Sequence, residues 1–297
     1  LNWLAWALCA WVAWRLTGDL FGDRSASLLA VLLVSGGIGM TAHIGDYSPH
    51  LLAFAGYYLG VWLIHRSGVH REPRPLRTHL ALGAFFAIVG LAYNTGVMLV
   101  GVYLLCALRY SRWLHLAVAA VLGLSARPLW QVLLGRPMKV VDVEAEYLQR
   151  ALTAWRELLG GDPFHAIRMV ARWSSELVLF FDSPLVVLAG LVCVMLTPLP
   201  RSTRWLGFCA VCIPFLAGLV FAPSATARGY IVSGATVWVY PLLAVQLARG
   251  VRGRRCGLRT AAVLGTSLLL LIHYWWASAH LFYELGPLKT YFLGWYQ

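Results

Sequence analysis

Charged residues are scarce in this chain: they make up 12% of its 297 residues, and only 12 residues are Asp or Glu. Hydrophobic residues make up 60%, and the mean hydropathy is +0.70. A soluble protein of this length could not bury so much apolar surface. The composition therefore predicts that lipid is the solvent for much of the chain.

Several functional motifs are also missing. The chain has no Walker loop, no dinucleotide-binding glycine fingerprint and no HExxH pair, and these absences exclude ATP-driven transport by this chain alone. The net charge is +12, but the arginines lie between apolar runs and do not form one face of an amphipathic helix. The positive-inside rule explains this pattern, and we expect no nucleic-acid partner.

The chain begins with Leu1 instead of Met, and no basic n-region or small-residue cleavage site follows. We therefore expect a fragment, or a chain that has lost its natural start. Cysteine adds little chemistry, because most cysteines lie within apolar runs. Cys209 and Cys212 have the spacing of a redox pair, but their apolar surroundings would not stabilise a thiolate, so we interpret them as packing residues.

Hydrophobic segments predict an all-α fold, a polytopic transmembrane helical bundle in which residues 1–297 form one transmembrane domain. The ten segments cover residues 1–15, 27–42, 51–65, 79–93, 96–109, 113–132, 176–198, 205–222, 231–248 and 260–279. Only Asn94-Thr95-Gly96 separates the fourth and fifth. As one helix they would be about 47 Å long, too long for a hydrocarbon core of about 30 Å. We therefore predict two short segments.

The arginines orient the bundle. If the loop from Arg66 to Arg77 is cytoplasmic and the segments alternate, the inside connections hold most of the Lys and Arg residues. The short outside connections and the tail then hold only Arg228 and Lys289. Merging the fourth and fifth segments would place the arginine-rich loop 249–259 outside, so the charge pattern also favours ten segments.

One long outside loop, at about residues 133–175, is predicted to form two amphipathic helices. In the first, apolar residues recur at i, i+4, i+7 and i+11; these are Leu148, Leu152, Trp155 and Leu159. Asp162-Pro163 is a helix-start signal for the second. We expect its apolar residues to face inward, namely Phe164, Ile167, Val170 and Trp173. The helices could rest on the bilayer as a connector or cover a site as a lid.

A polar stretch at residues 43–50 joins two uncharged apolar runs and is the first candidate site. It contains an acid, Asp46, which could act as a catalytic carboxylate, and two candidate substrate-binding histidines, His43 and His50. The three residues fall at i, i+3 and i+7, so a helical loop could bind a divalent metal. Glycine and proline in the stretch argue against a regular helix. Metal ligation and solvated loop histidines both stay open.

The second candidate is Arg228, the only cation in a short outside loop between two predicted segments. An arginine can bind a phosphate through two parallel hydrogen bonds. It can also anchor a helix at the level of the lipid headgroups, and the sequence leaves both readings open.

Three stretches of the chain resemble the membrane glycosyltransferases of the GT-C superfamily, which use a polyprenyl-phosphate-linked sugar as donor. Residues 21–26 (Phe-Gly-Asp-Arg-Ser-Ala) are similar to the cytoplasmic Gly-x-Arg-x-Ala turn of that family. Residues 80–109, with their break at Asn94-Thr95-Gly96, resemble its pair of short helices. Ala227-Arg228-Gly229-Tyr230, followed by a run containing Pro241, resembles its late outside loop.

The resemblance implies glycosyl transfer at the non-cytoplasmic face of a membrane, most simply a bacterial inner membrane. In that family the chief catalytic acid lies in the first outside loop, which this chain would lack if it begins at the second family span. Asp46 would then correspond to a further acid in the second outside loop. Arg228, with Tyr230 beside it, would meet the lipid phosphate. The resemblance fixes neither the sugar nor the acceptor, and it leaves a divalent metal cofactor open.

Two other classes remain. A transporter or flippase for a lipid-linked substrate would need ionisable groups at mid-membrane depth, but the segments of this chain are nearly free of charge. A non-catalytic membrane subunit becomes the stronger reading if the natural chain has no catalytic span before Leu1.

Overall fold

The computed structural model describes residues 2–37, 50–92, 95–135, 139–181, 192–193, 196–221, 234–252 and 265, and no strand occurs among them. The predicted all-α class is therefore confirmed for this part of the chain. Its helices are α1 (Asn2–Phe21), α2 (Arg24–Gly36), α3 (His50–Ser67), α4 (Leu76–Ala92), α5 (Thr95–Ala107), α6 (Trp113–Leu134), α7 (Lys139–Gly160), α8 (Pro163–Phe181), α9 (Arg201–Val220) and α10 (Thr236–Arg252).

A two-residue turn joins α1 to α2. Gly22 has a φ of 62°, a left-handed conformation that glycine adopts without strain, and its N–H donates to the carbonyl of Gly18 at 2.9 Å. The carboxylate of Asp23 then accepts from the N–H groups of Ser25 and Ala26 and caps α2. The helix α1 passes beyond the predicted boundary at residue 15, because this turn, and not Arg15, ends it.

The helices form two compact units. The first contains α1, α2 and α10, which pack against one another. Within it α2 and α10 are antiparallel: Ala26, at the start of α2, packs near Val245 and Ala248 of α10. At the other end of α2, a Cβ on Gly37 would lie 2.5 Å from the hydroxyl oxygen of Tyr240.

The second unit contains most of α3, α4 to α7, most of α8, and α9. The predicted break between the fourth and fifth segments is confirmed, since α4 ends at Ala92 and α5 begins at Thr95. The two helices pack against each other and both pack against α6. Thr95, which follows the break, is buried.

Glycines let the helices of this second unit approach closely. A Cβ on Gly83 of α4 would lie 2.8 Å from the backbone oxygen of Ala119 in α6. A Cβ on Gly96 of α5 would lie 2.6 Å from the backbone of Gly90 in α4. Backbone atoms cannot move aside as a flexible side chain can, so these crossings require glycine. Small residues at helix crossings are typical of helices packed in lipid.

One end of this unit carries a cluster of arginines; we call it the arginine end. The helices α4, α6 and α9 begin there and α5 ends there, as two contacts show. His79 of α4 is hydrogen-bonded to the Tyr103 hydroxyl of α5 at 2.6 Å, and the indole N–H of Trp205 in α9 donates to the carbonyl of Leu105 at 2.9 Å. The exposed arginines near these helix ends are Arg66, Arg71, Arg77, Arg109, Arg112, Arg201 and Arg204.

The break between α7 and α8 lies where the sequence predicts it, since α7 ends at Gly160 and α8 begins at Pro163; α7 begins at Lys139, three residues before the predicted start at Asp142. The Asp162 carboxylate caps α8 by accepting from two backbone N–H groups, those of Phe164 at 3.1 Å and His165 at 3.2 Å. At the opposite end of α9 from the arginine end, the indole N–H of Trp155 donates to the carbonyl of Val220, the last residue of α9.

The prediction of which residues of α8 face inward is partly wrong. Phe164 and Ile167 are 76% and 65% exposed, while Trp173 is buried and packs edge to face against Trp155. The small Ala166 occupies the buried position, because it lies on the same helical face as Trp173, seven residues further on. The helix also continues as one piece to Phe181, across the predicted start of the seventh segment at residue 176.

Among the described helices, α9 alone is both long and apolar enough to cross a bilayer by length and composition. Shorter apolar helices accompany it, among them α2, α5 and the first part of α6. A single helix of this kind also occurs in the cores of soluble proteins, so this finding does not by itself establish a membrane protein.

Candidate functional site

The site residues that the sequence predicts lie outside the described part of the chain. His43 and Asp46 fall within residues 38–49, and Arg228 and Tyr230 fall within residues 222–233. His50 is the first residue of α3, where only the backbone is described. Their predicted roles therefore stay predictions.

The helix before the first stretch, α2, and the helix after the second, α10, pack together in the first unit. Asp46 lies nine residues after Gly37, where α2 ends, and Arg228 lies eight residues before Thr236, where α10 begins. Because α2 and α10 are antiparallel and Gly37 lies against Tyr240, the end of one helix and the start of the other are at the same end of the pair. The first stretch therefore follows, and the second precedes, a helix end on that side of the pair.

A second group of polar residues, which the sequence analysis missed, lies at the arginine end of the second unit. His79, buried in the first turns of α4, bonds to the buried Tyr103 hydroxyl and has its ring 5.0 Å from that of His115 in α6. These contacts tie α4, α5 and α6 together. A signal existed in the sequence, since both histidines follow an arginine by two or three residues at the start of an apolar run.

The other two histidines of this end are His65, in the last turn of α3, and His70, in the loop that follows it. The guanidinium of Arg71 donates from Nε to Nε2 of His70 at 2.8 Å and from Nη2 to Nδ1 of His65 at 3.1 Å. Both imidazole rings are buried and lie 5.5 Å apart. Burial, with the positive charge of Arg71 beside it, lowers the pKa of His70 to about 3. His70 is therefore neutral at physiological pH.

The loop between α3 and α4 contains two arginines, Arg71 and Arg74, and one glutamate, Glu72, which is ion-paired with Arg74. Within the described residues, no group of three or more His, Cys, Asp and Glu side chains could hold a metal ion. The four histidines therefore do not form a metal site by themselves. The arrangement offers positive charge and hydrogen-bond donors, which suit an anion.

Comparisons with family models, with curated proteins and with solved structures gave no match to this chain.

Proposed function

We propose that this protein is an integral-membrane glycosyltransferase that moves a sugar from a polyprenyl-phosphate-linked donor to an acceptor at the non-cytoplasmic face of the membrane. The proposal has two parts: the helices lie in a membrane, and residues in the loops between them carry out the reaction. Different observations support each part.

Support for the membrane comes from which side chains are exposed. Ile88 of α4 and Val132 of α6 are 67% and 79% exposed, and α9 exposes further large apolar residues. Meanwhile polar residues such as His79 and Thr203 are buried. Apolar residues on the outside and polar residues on the inside suit a lipid solvent, and the glycine-mediated crossings suit it as well.

The observation that carries the catalytic proposal is the antiparallel pairing of α2 and α10. It places the end of α2, which leads to Asp46, beside the start of α10, which follows Arg228. The loop that holds the carboxylate therefore follows, and the loop that holds the arginine precedes, helix ends on the same side of one helix pair. Glycosyl transfer from a phosphate-linked donor needs both groups.

The chemistry assigns each group a role. A carboxylate near the acceptor hydroxyl can remove its proton as the new glycosidic bond forms, so we assign Asp46 as the base or as a support for a divalent metal. The phosphate that leaves the sugar gains negative charge, and a guanidinium stabilises it through two parallel hydrogen bonds, so we assign Arg228 to the phosphate. His43, His50 and Tyr230 supply further hydrogen bonds to the substrate.

The test of Asp46 is the Asp46→Asn variant, assayed for transfer of labelled sugar from a panel of polyprenyl-phosphate donors in native membranes. Turnover should fall by about a hundredfold or more if the carboxylate acts in proton transfer, with an unchanged amount of protein in the membrane. Asp19→Asn is the matched control, because Asp19 is an exposed acid in α1, near the turn to α2. Normal turnover of Asp46→Asn would remove this residue from the mechanism.

The test of Arg228 compares Arg228→Lys and Arg228→Ala over a range of donor concentration. Lysine keeps the charge but lacks the planar fork, so both variants should lose roughly ten- to a hundredfold in efficiency. Arg201→Ala, at the exposed start of α9, is the control and should transfer sugar normally. Full activity of Arg228→Lys would instead make Arg228 a headgroup-level anchor.

A further inference from the structure

The loop between α3 and α4 has an ordered backbone. Gly68, with a φ of 74°, turns the chain at the end of α3, and its N–H donates to the carbonyl of His65. The carbonyl of Gly68 then accepts from the N–H groups of Arg71 at 2.9 Å and Glu72 at 3.2 Å. The position from which the Arg71 side chain extends is therefore fixed.

The partners of Arg71 orient it without neutralising it. A guanidinium can only donate hydrogen bonds, so the nitrogens of His65 and His70 that it contacts must be acceptors, which means neutral imidazoles. An arginine fixed in this way is more commonly paired with a carboxylate. Here the one carboxylate of the loop, Glu72, is paired with Arg74, and Arg71 has no ion pair among the described residues.

The guanidinium keeps donors for a ligand. Two of its five N–H groups are used by the imidazoles, and the residue is exposed to solvent. The side chain of Arg66, exposed and close in sequence, adds positive charge at the same end of the unit. A planar guanidinium with a fixed orientation and an uncompensated positive charge can donate two parallel hydrogen bonds to the oxygens of a phosphate group.

We propose that Arg71, held by His65 and His70, is the centre of a binding site for a phosphate group at the arginine end of the second unit. Two sources carry this chemistry, the headgroup of an anionic phospholipid and a soluble phosphate. Within the site Arg71 contacts the ligand, while His65 and His70 are positioning residues. The site makes no use of Asp46 or Arg228 and stands apart from glycosyl transfer.

The experiment uses the full chain, purified in detergent, in two arms. The first titrates inorganic phosphate by calorimetry, and the second measures retention of phosphatidylglycerol against phosphatidylcholine by native mass spectrometry. If the natural ligand is a soluble phosphate, Arg71→Gln should weaken phosphate binding by about tenfold or more; if it is a lipid headgroup, the same loss should appear in phosphatidylglycerol retention. A loss of this size is expected when a charged hydrogen bond is removed. Arg77→Gln, an exposed cation without imidazole partners, is the matched control and should change binding by less than about threefold.

The positioning role has its own readout. His70→Leu removes the acceptor that orients Arg71 and should weaken binding, while His70→Gln restores an acceptor oxygen and should recover most of it. Thermal unfolding of each variant checks that the fold is retained, and the rescue by glutamine separates positioning from simple destabilisation.

The pH dependence distinguishes arginine from imidazolium as the binding group. The groups that face His70 are Arg71 and His65, and its pKa of about 3 keeps the ring neutral at pH 5 to 8. Retention of the phosphodiester headgroup, whose charge is constant in this range, should therefore not change with pH.

Three results would overturn the site. They are binding of neither probe by the wild-type chain, equal losses in Arg71→Gln and Arg77→Gln, and headgroup retention that rises as pH falls through the ordinary titration range of histidine.

Discussion

At the scale of single residues, the closest helix crossings depend on the absence of a side chain. Gly83 and Gly96 face backbone atoms of neighbouring helices at distances that no Cβ could occupy. By contrast, Gly250, inside α10, has nothing within 4 Å of the position of a Cβ. Glycine is therefore required for packing at positions 83 and 96. At position 250 it only lowers the stability of the helix through its low helix propensity.

This difference leads to a prediction for Gly83→Ala. The new methyl group would force α4 away from α6, and overpacking of this kind costs about 1–3 kcal/mol of the free energy of unfolding. Thermal unfolding of the purified chain in detergent should show a lower Tm. The matched control, Gly250→Ala, should leave the Tm unchanged or raise it, because alanine favours the helix by about 1 kcal/mol. A Tm for Gly83→Ala equal to that of wild type would show that the crossing is looser than described.

At the scale of elements, α7 divides its apolar residues between two surfaces. Ala151 is buried and Trp155 half-buried, and they form the edge that faces the rest of the unit. The predicted leucines, Leu148, Leu152 and Leu159, form an adjacent edge and are exposed. One edge thus attaches the helix to the protein, and the other remains for a surface outside it. Attachment at the last residue of α9, the helix of membrane-crossing length, places the leucine edge at the level of a bilayer boundary in the membrane proposal.

We predict that the Trp155 hydrogen bond holds α7 at the end of α9. Trp155→Phe keeps an aromatic ring for packing against Trp173 but removes the donor to the Val220 carbonyl, so it should cost about 1 kcal/mol. We expect faster backbone hydrogen exchange in α7 and α8 and unchanged exchange rates in α4 to α6. Trp113→Phe, at the exposed start of α6, is the control. Uniform acceleration across all helices would mean that α7 is part of the global folding unit, which argues against a separately attached lid.

At the scale of the whole molecule, the turns between neighbouring apolar helices collect arginines at one end of each unit. In the first unit Arg24 begins α2 and the exposed Arg249 lies near the end of α10, at the end away from Gly37 and Tyr240. In the second unit the arginine end lies at the opposite end of α9 from Trp155. Arg150, Arg156 and Arg168 belong to α7 and α8, in the long predicted outside loop, where charge has little effect on orientation. The excess of arginine in the short turns is the pattern that the positive-inside rule describes.

A labelling experiment tests this orientation. In a Cys256→Ser background, a cysteine at Leu159 or at Ser48 should react with a membrane-impermeant thiol reagent applied to intact cells. A cysteine at the exposed Arg201 should react only after the membrane is permeabilised. The native cysteines of α1, α5 and the buried part of α9 should stay silent throughout, since they are buried. Labelling of the Arg201 position in sealed cells would reverse the orientation, and the proposed site would then face the cytoplasm.

The sequence by itself determined the helical class, the break between α4 and α5 and the start of α8 at Pro163. These are local features, set by apolar runs, helix caps and residues that favour one backbone conformation. The sequence also marked Asp46 and Arg228 as candidates, because they are polar residues in loops between apolar runs. It could not show that α2 and α10 are antiparallel neighbours or that Ala166, and not Phe164, is buried. Nor could it show that Arg71 donates to two neutral imidazoles. Those facts depend on which helix faces which, and that is decided by packing between residues far apart in the chain, where hydropathy carries no information about partners.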